Sequence, residues 1–125
     1  ELKTINEALS SYPNDLQLKY GTGYDHNFVI RNYDGGLNES CQAYDSKSGR
    51  LMTCFTTMPG VQLYTGNHLK GSGMGKNHVV YDDRHGFCFE TQYFPNSMKH
   101  RHFPSPILTA GTTYHHKTVY KFSTK

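Results

Sequence analysis

The chain has 125 residues, with 13 lysines and arginines against 10 aspartates and glutamates and a net charge of +3. That length suits one domain or a piece of one, and no apolar run approaches the roughly 20 residues of a membrane-spanning helix, so the expectation is a fragment or mature chain of a soluble protein with no membrane partner. The charges are scattered without a dense basic block, which argues against nucleic acid as a partner. Only 35% of the residues are apolar, and ten tyrosines and seven phenylalanines supply much of the bulk. A core built on such rings carries polar tips into or near the interior, as β-rich domains with many loops do.

In chain order, residues 1–22 read as a polar lead-in, where Leu2, Ile5 and Leu9 form a short helical stripe that Pro13 breaks. From Gly23 onward, short runs of β-branched and aromatic residues between turn formers predict strands over 28–32, 40–44, 51–57, 61–65, 78–81, 87–92 and 112–123. No helix of ordinary length is expected after residue 12. Between the second and third runs, Asp45, Ser46, Ser48 and Gly49 have turn chemistry and predict a hairpin with antiparallel flanks. In the last run Tyr114, Thr118, Tyr120 and Phe122 alternate with His115, Lys117 and Lys121, predicting one packed and one wet face. Residues 70–76, KGSGMGK, read as a mobile glycine-rich loop over a binding surface. They are no phosphate loop, because Asn77 follows Lys76 where serine or threonine is required.

Four groups of residues are candidates for chemistry. Glu90 lies in the apolar run FCFETQ on the same face as Cys88 and Gln92. Burial there would raise its pKa toward neutrality and suit it to act as a general base; the alternative is an outward-facing glutamate on a half-buried strand. Gln62 projects with Tyr64, and an amide beside a ring suits sugar hydroxyls and C–H faces, against the alternative of an ordinary sandwich strand. Asp25, just ahead of a strand, is placed to accept hydroxyl protons, unless with Asn27 it only caps the backbone. The eight histidines bring no third ligand beside His100 and His102, and His115 and His116 point to opposite faces, so no metal is expected. Three cysteines, Cys41, Cys54 and Cys88, are odd in number and lack CxxC spacing, which argues against a full disulfide framework and a zinc site and for a reducing, cytoplasmic setting.

Taken together, GYDHNF (23–28), YDSKSGR (44–50), TTMPGVQLYTGN (56–67), FCFETQYFPNS (87–97) and FPSPIL (103–108) resemble the aldose 1-epimerase family in order and spacing, from about residue 23 to 122. The resemblance implies an all-β, antiparallel β-sandwich of the galactose mutarotase type, here its C-terminal portion, with residues 1–125 one part of a single domain. It implies interconversion of the α and β anomers of free hexoses such as galactose and glucose, without a cofactor. By the same resemblance Glu90 is the general base, and Gln62 and Asp25 bind the sugar. The family's acid histidine, a second sugar-binding histidine and an arginine lie upstream and have no counterpart here. In the implied mechanism the base takes the anomeric hydroxyl proton while the acid protonates the ring oxygen; the ring opens, the C1–C2 bond rotates, and closure gives the other anomer. The chain departs from the family at Asn77 and His78, where paired glycines are usual, and near Arg101, where a proline is usual. The rival expectation is a non-catalytic carbohydrate-binding or interaction module. The expected partners are a free aldohexose and the missing N-terminal half of the domain, on the same polypeptide or as a separate chain.

Overall fold

The computed structural model describes residues 3–125. Leu2, expected to share the first helical stripe, lies outside the described residues. Helix α1, Ile5–Ser11, starts where Thr4 and Glu7 form a capping box: Thr4 Oγ1 accepts from Glu7 N, and Glu7 Oε2 accepts from Thr4 N. Those bonds, the backbone one foremost, hold the Glu7 carboxyl below its ordinary range. A second short helix, α2, Leu16–Gly21, was not expected. Its start is set by Asp15, whose carboxylate accepts from Gln17 N at 2.8 Å and Leu18 N at 3.0 Å, and it ends on Thr22 in the left-handed region at φ +53°.

The strands among the described residues are β1 Asp25–Val29, β2 Asn38–Asp45, β3 Arg50–Thr56, β4 Gly60–Tyr64, β5 Cys88–Gln92 and β6 Thr118–Thr124. They form two three-stranded sheets, ordered β1-β4-β5 and β2-β3-β6. β1 and β4 run antiparallel: Thr65 N donates to Tyr24 O at one end of the pair, and Ile30 N donates to Pro59 O at the other. The chain divides into two compact units. One comprises the described residues up to His26 with Gln62–Glu90, and the other Asn27–Val61 with Thr91–Lys125.

The second unit contains the apolar core, formed by Ile30, Cys54, Met58 and Val61, with Pro59 fully enclosed. Its sheet is built on the predicted hairpin. β2 and β3 pair antiparallel from Asp45 opposite Arg50, with a bulge between Glu39 and Cys41. The turn is organised by Asp45, which accepts from Lys47 N, Ser48 N and Ser48 Oγ, so its carboxyl lies below the ordinary range, with the Ser48 side chain the chief cause. Gly49 supplies the positive φ, +71°, that closes the turn. At the other end of β3, Thr56 is buried, and its hydroxyl faces that of Thr118 at 3.2 Å.

Several expectations are corrected. The first strand begins at Asp25, earlier than 28, because the backbone before it is already fixed by the turn at Thr65 and Asn67. The run 78–81 is no strand; Lys76–His78 is a 3-10 turn, and only a single bridge joins Met74 to Val80, since Asn77 and His78 both take positive φ and cannot extend a ladder. The last strand starts at Thr118 rather than 112, after His116 is held by Thr57 and Tyr93. The packed face expected of the last strand is absent: among the described residues β6 is a sheet edge whose strand neighbour is β3, and every residue in it is exposed.

Candidate active site

The segment leading into β1 is fixed by polar rather than apolar burial. Asn67, 5% exposed, donates through Nδ2 to Gly21 O at 2.8 Å and Tyr24 O at 2.9 Å, while its Oδ1 accepts from Thr65 Oγ1 at 2.7 Å. Thr65 Oγ1 also accepts from Tyr24 N, and Thr65 N donates to Tyr24 O. Gly23, at φ +144°, lets the backbone close on this turn; a Cβ there would come within 3.0 Å of Thr65 Oγ1. The result is a start to β1 that sets where Asp25 projects.

Asp25 meets Gln62 of β4, whose Nε2 donates to Asp25 Oδ1 at 2.7 Å. The two residues lie far apart in sequence, and the antiparallel β1–β4 pairing brings them together. Asp25 is exposed, and Gln62 is half-buried with its Oε1 buried and without a partner among the described residues. An unmet buried acceptor costs about 1–3 kcal/mol, so the amide is held in this geometry by the rest of its surroundings. The arrangement presents a carboxylate beside a carboxamide, a pair of groups that together accept and donate to vicinal hydroxyls.

Glu90 lies on β5, the strand next to β4. Its side chain is exposed and its carboxylate has no partner among the described residues. The burial expected of it is therefore absent: β5 is an edge strand among the described residues, and Cys88 and Glu90 on it are both exposed. The structure thus pairs Asp25 with Gln62 and leaves Glu90 as a free, exposed carboxylate on the neighbouring strand.

An open cavity of about 520 Å³ lies in the first unit, lined by Thr22, Asn67, His68, Asp82, Asp83 and Arg84. Its wall is pinned by Arg84, which donates from Nη2 to Thr22 O at 2.9 Å and from its backbone N to Gly66 O at 2.7 Å. His68 Nε2 stands 3.3 Å from Thr22 Oγ1, and Asp83 Oδ1 accepts from Lys70 N. Asp25, Gln62 and Glu90 are not among its lining. Of the cavity residues only Asn67 falls in a motif named above, at the end of TTMPGVQLYTGN; Thr22, His68, Asp82, Asp83 and Arg84 carry none, and the local signal for them is the density of charged and imidazole groups at 82–85. Among the described residues no three His, Cys, Asp or Glu side chains converge as metal ligands do.

Two three-stranded sheets with antiparallel pairing and a carboxylate–carboxamide contact at the β1–β4 register define the class: an antiparallel β protein. The crystal structure of the GalM/aldose epimerase homologue from C. elegans superposes on 81% of this chain with a TM-score of 0.71 and 26% identity, the match covering 30% of that structure. The all-β antiparallel sandwich of the galactose mutarotase type is therefore its fold class. A family model described as aldose 1-epimerase matches residues 2–121, and the chain belongs to that family. It is 42% identical over 111 residues to the galactose mutarotase of Homo sapiens, covering 86% of this chain and 31% of that protein. It is 29% identical over 102 residues to the aldose 1-epimerase of Escherichia coli K12, covering 80% and 29%. The chain thus spans about three-tenths of the length of the curated relatives it matches, consistent with its being one part of such a domain.

Proposed function

We propose that this chain supplies the sugar-holding and proton-accepting part of an aldose 1-epimerase that interconverts the α and β anomers of free hexoses such as galactose and glucose. The observation that carries this reading is the Gln62 Nε2 to Asp25 Oδ1 contact at 2.7 Å, which leaves the buried Gln62 Oε1 and the exposed Asp25 side chain beside it for ligand hydroxyls. A hydroxyl donating to Gln62 Oε1 would relieve the cost of that unmet acceptor. Asp25 and Gln62 orient the sugar, and Glu90 takes the proton from the anomeric hydroxyl and returns it after ring closure. Proton delivery to the ring oxygen falls to a group outside this chain, in the remainder of the domain, whether on the same polypeptide or on a separate chain. The three free thiols suit the reducing, cytoplasmic setting proposed with it.

The test is polarimetry of freshly dissolved α-galactose with the chain alone, with the chain joined to the preceding part of the domain, and with Glu90→Gln in each. Acceleration in the joined form, reduced at least a hundredfold by Glu90→Gln, is the expected result. A joined protein that is folded and binds galactose but leaves the rate unchanged would instead establish the second reading, a carbohydrate-binding module. That reading is favoured by one observation, the exposure of Glu90 in this chain.

A further inference from the structure

Beyond sugar chemistry, the hairpin of the second unit brings together two cysteines whose spacing along the chain does not by itself suggest a pair. Cys41 of β2 and Cys54 of β3 are direct Cα partners in the antiparallel ladder. Directly opposite residues in such a ladder share a face and have Cα atoms about 4.5–5.5 Å apart, within the roughly 4.4–6.8 Å that a disulfide spans. Ser40 braces both members: its hydroxyl donates to Cys54 O at 3.0 Å and lies 3.6 Å from Cys41 Sγ. The third cysteine, Cys88, is exposed on β5.

We propose that Cys41 and Cys54 are a site of reversible covalent modification, closing to a cross-strand disulfide by exchange with a small-molecule disulfide such as oxidised glutathione. The two thiols have different roles. Cys41, half-buried on the sheet's edge strand, is reached first, whereas Cys54 has no exposed surface. The Cys41 thiolate attacks one glutathione sulfur, forming a mixed disulfide and releasing glutathione as thiolate, which takes up a proton. The Cys54 thiolate then attacks Cys41 Sγ, forming the protein disulfide and releasing the second glutathione. Two S–H bonds are lost from the protein, one glutathione disulfide is reduced to two thiols, and the electrons balance.

Burial, chiefly, pushes the Cys41 thiol up to about 11; Ser40 opposes that rise, while Cys54 across the ladder and Glu39 on the same strand add to it. Beyond Cys54, the residue in register on β6 is Tyr120. The thiolate needed for the first step is therefore scarce at neutral pH, so the site closes slowly there and faster as pH rises. The pair stays reduced in a strongly reducing compartment and records sustained oxidation rather than brief pulses.

The test uses the full chain carrying Cys88→Ser, which removes the competing exposed thiol, equilibrated in mildly alkaline mixtures of reduced and oxidised glutathione. Intact mass is expected to fall by two hydrogens with no glutathione retained, and free thiols to fall from two to none. Trypsin cuts at Lys47 and Arg50, between the two cysteines, so the two peptides should remain joined until reductant is added. The effective concentration of the thiol pair, read from the same equilibrium, should be at least tenfold higher in native buffer than in concentrated urea, because the sheet holds the sulfurs together. Retention of glutathione on Cys41, or equal values with and without urea, would overturn the proposal.

Discussion

At the scale of single residues, Asn67 shows how this chain substitutes hydrogen bonding for apolar burial. Its carboxamide makes three bonds, to Gly21 O, Tyr24 O and Thr65 Oγ1, from a nearly enclosed position. Removing it takes one bond each from Gly21 O, Tyr24 O and Thr65 Oγ1, the last two of which keep their bonds to each other's residue; a lost bond costs about 0.5–1.5 kcal/mol, and more where a buried group is left unmet. Asn67→Ala is expected to lower unfolding stability by about 2–4 kcal/mol, read as a reduced urea midpoint at unchanged slope. Asn67→Asp keeps the volume but loses both donated bonds, and it should cost as much; a mild Asp variant beside a severe Ala variant would assign the effect to packing instead. The pairing of Asp25 with Gln62 is the same kind of contact. Each residue was recognisable from the sequence as a sugar-site candidate, but their contact was not, since it depends on the long-range register of β1 against β4. Glu90 shows the reverse case. Periodicity placed it correctly on a face with Cys88, yet whether that face is covered is decided by neighbouring strands and not by the run itself.

At the scale of elements, the β2–β3 hairpin was legible because its turn chemistry is local. Asp45, Ser48 and Gly49 do in the structure what their types suggest. The same turn also fixes the register, and counting outward from Asp45 opposite Arg50 reaches Cys41 opposite Cys54 before the bulge shifts the ladder. That pairing is legible across the strands once the turn is taken as origin, whereas the spacing of the cysteines along the chain carries no sign of it. The run at 78–81 failed for the opposite reason: its β-branched and aromatic residues match a strand, but consecutive positive φ values at Asn77 and His78 leave it a single bridge, Met74 to Val80, rather than a ladder. Because its folded carboxyl lies below the ordinary range, Asp45 contributes stability to the turn that is fully present above the unfolded-state pKa, near 3.9, and is lost as pH falls through the depressed folded value. Hydrogen exchange at the Gly49 amide, which donates to Asp45 O, should accelerate relative to other hairpin amides below that range. In Asp45→Asn that extra pH dependence should disappear; if it persists, another carboxylate governs the turn.

At the scale of the molecule, the outer strand of the second unit's sheet is exposed along its whole length. Among the described residues β6 is an edge with Val119 38%, Tyr120 44% and Phe122 74% exposed, and the chain spans only about three-tenths of the relatives it matches. An exposed edge with large apolar side chains recruits whatever strand or apolar face is available, and Lys121 is the one charge within β6 to oppose this. Phe122 is the largest apolar contributor, standing in register with Met52 of β3 at the outer part of the ladder. Burying a phenylalanine ring contributes about 1.5–3 kcal/mol, and each 1.4 kcal/mol is a tenfold change in an equilibrium constant. Phe122→Ser in the isolated chain should therefore weaken self-association by roughly tenfold or more in sedimentation velocity, with the far-ultraviolet circular dichroism unchanged because the side chain supports little of the sheet beneath it. Joining the chain to the preceding part of the domain should have the same effect without substitution, and the Phe122→Ser change should then make no further difference. If self-association of the isolated chain is indifferent to Phe122, the contact lies elsewhere, and the exposed β6 face is not the surface that the rest of the domain covers.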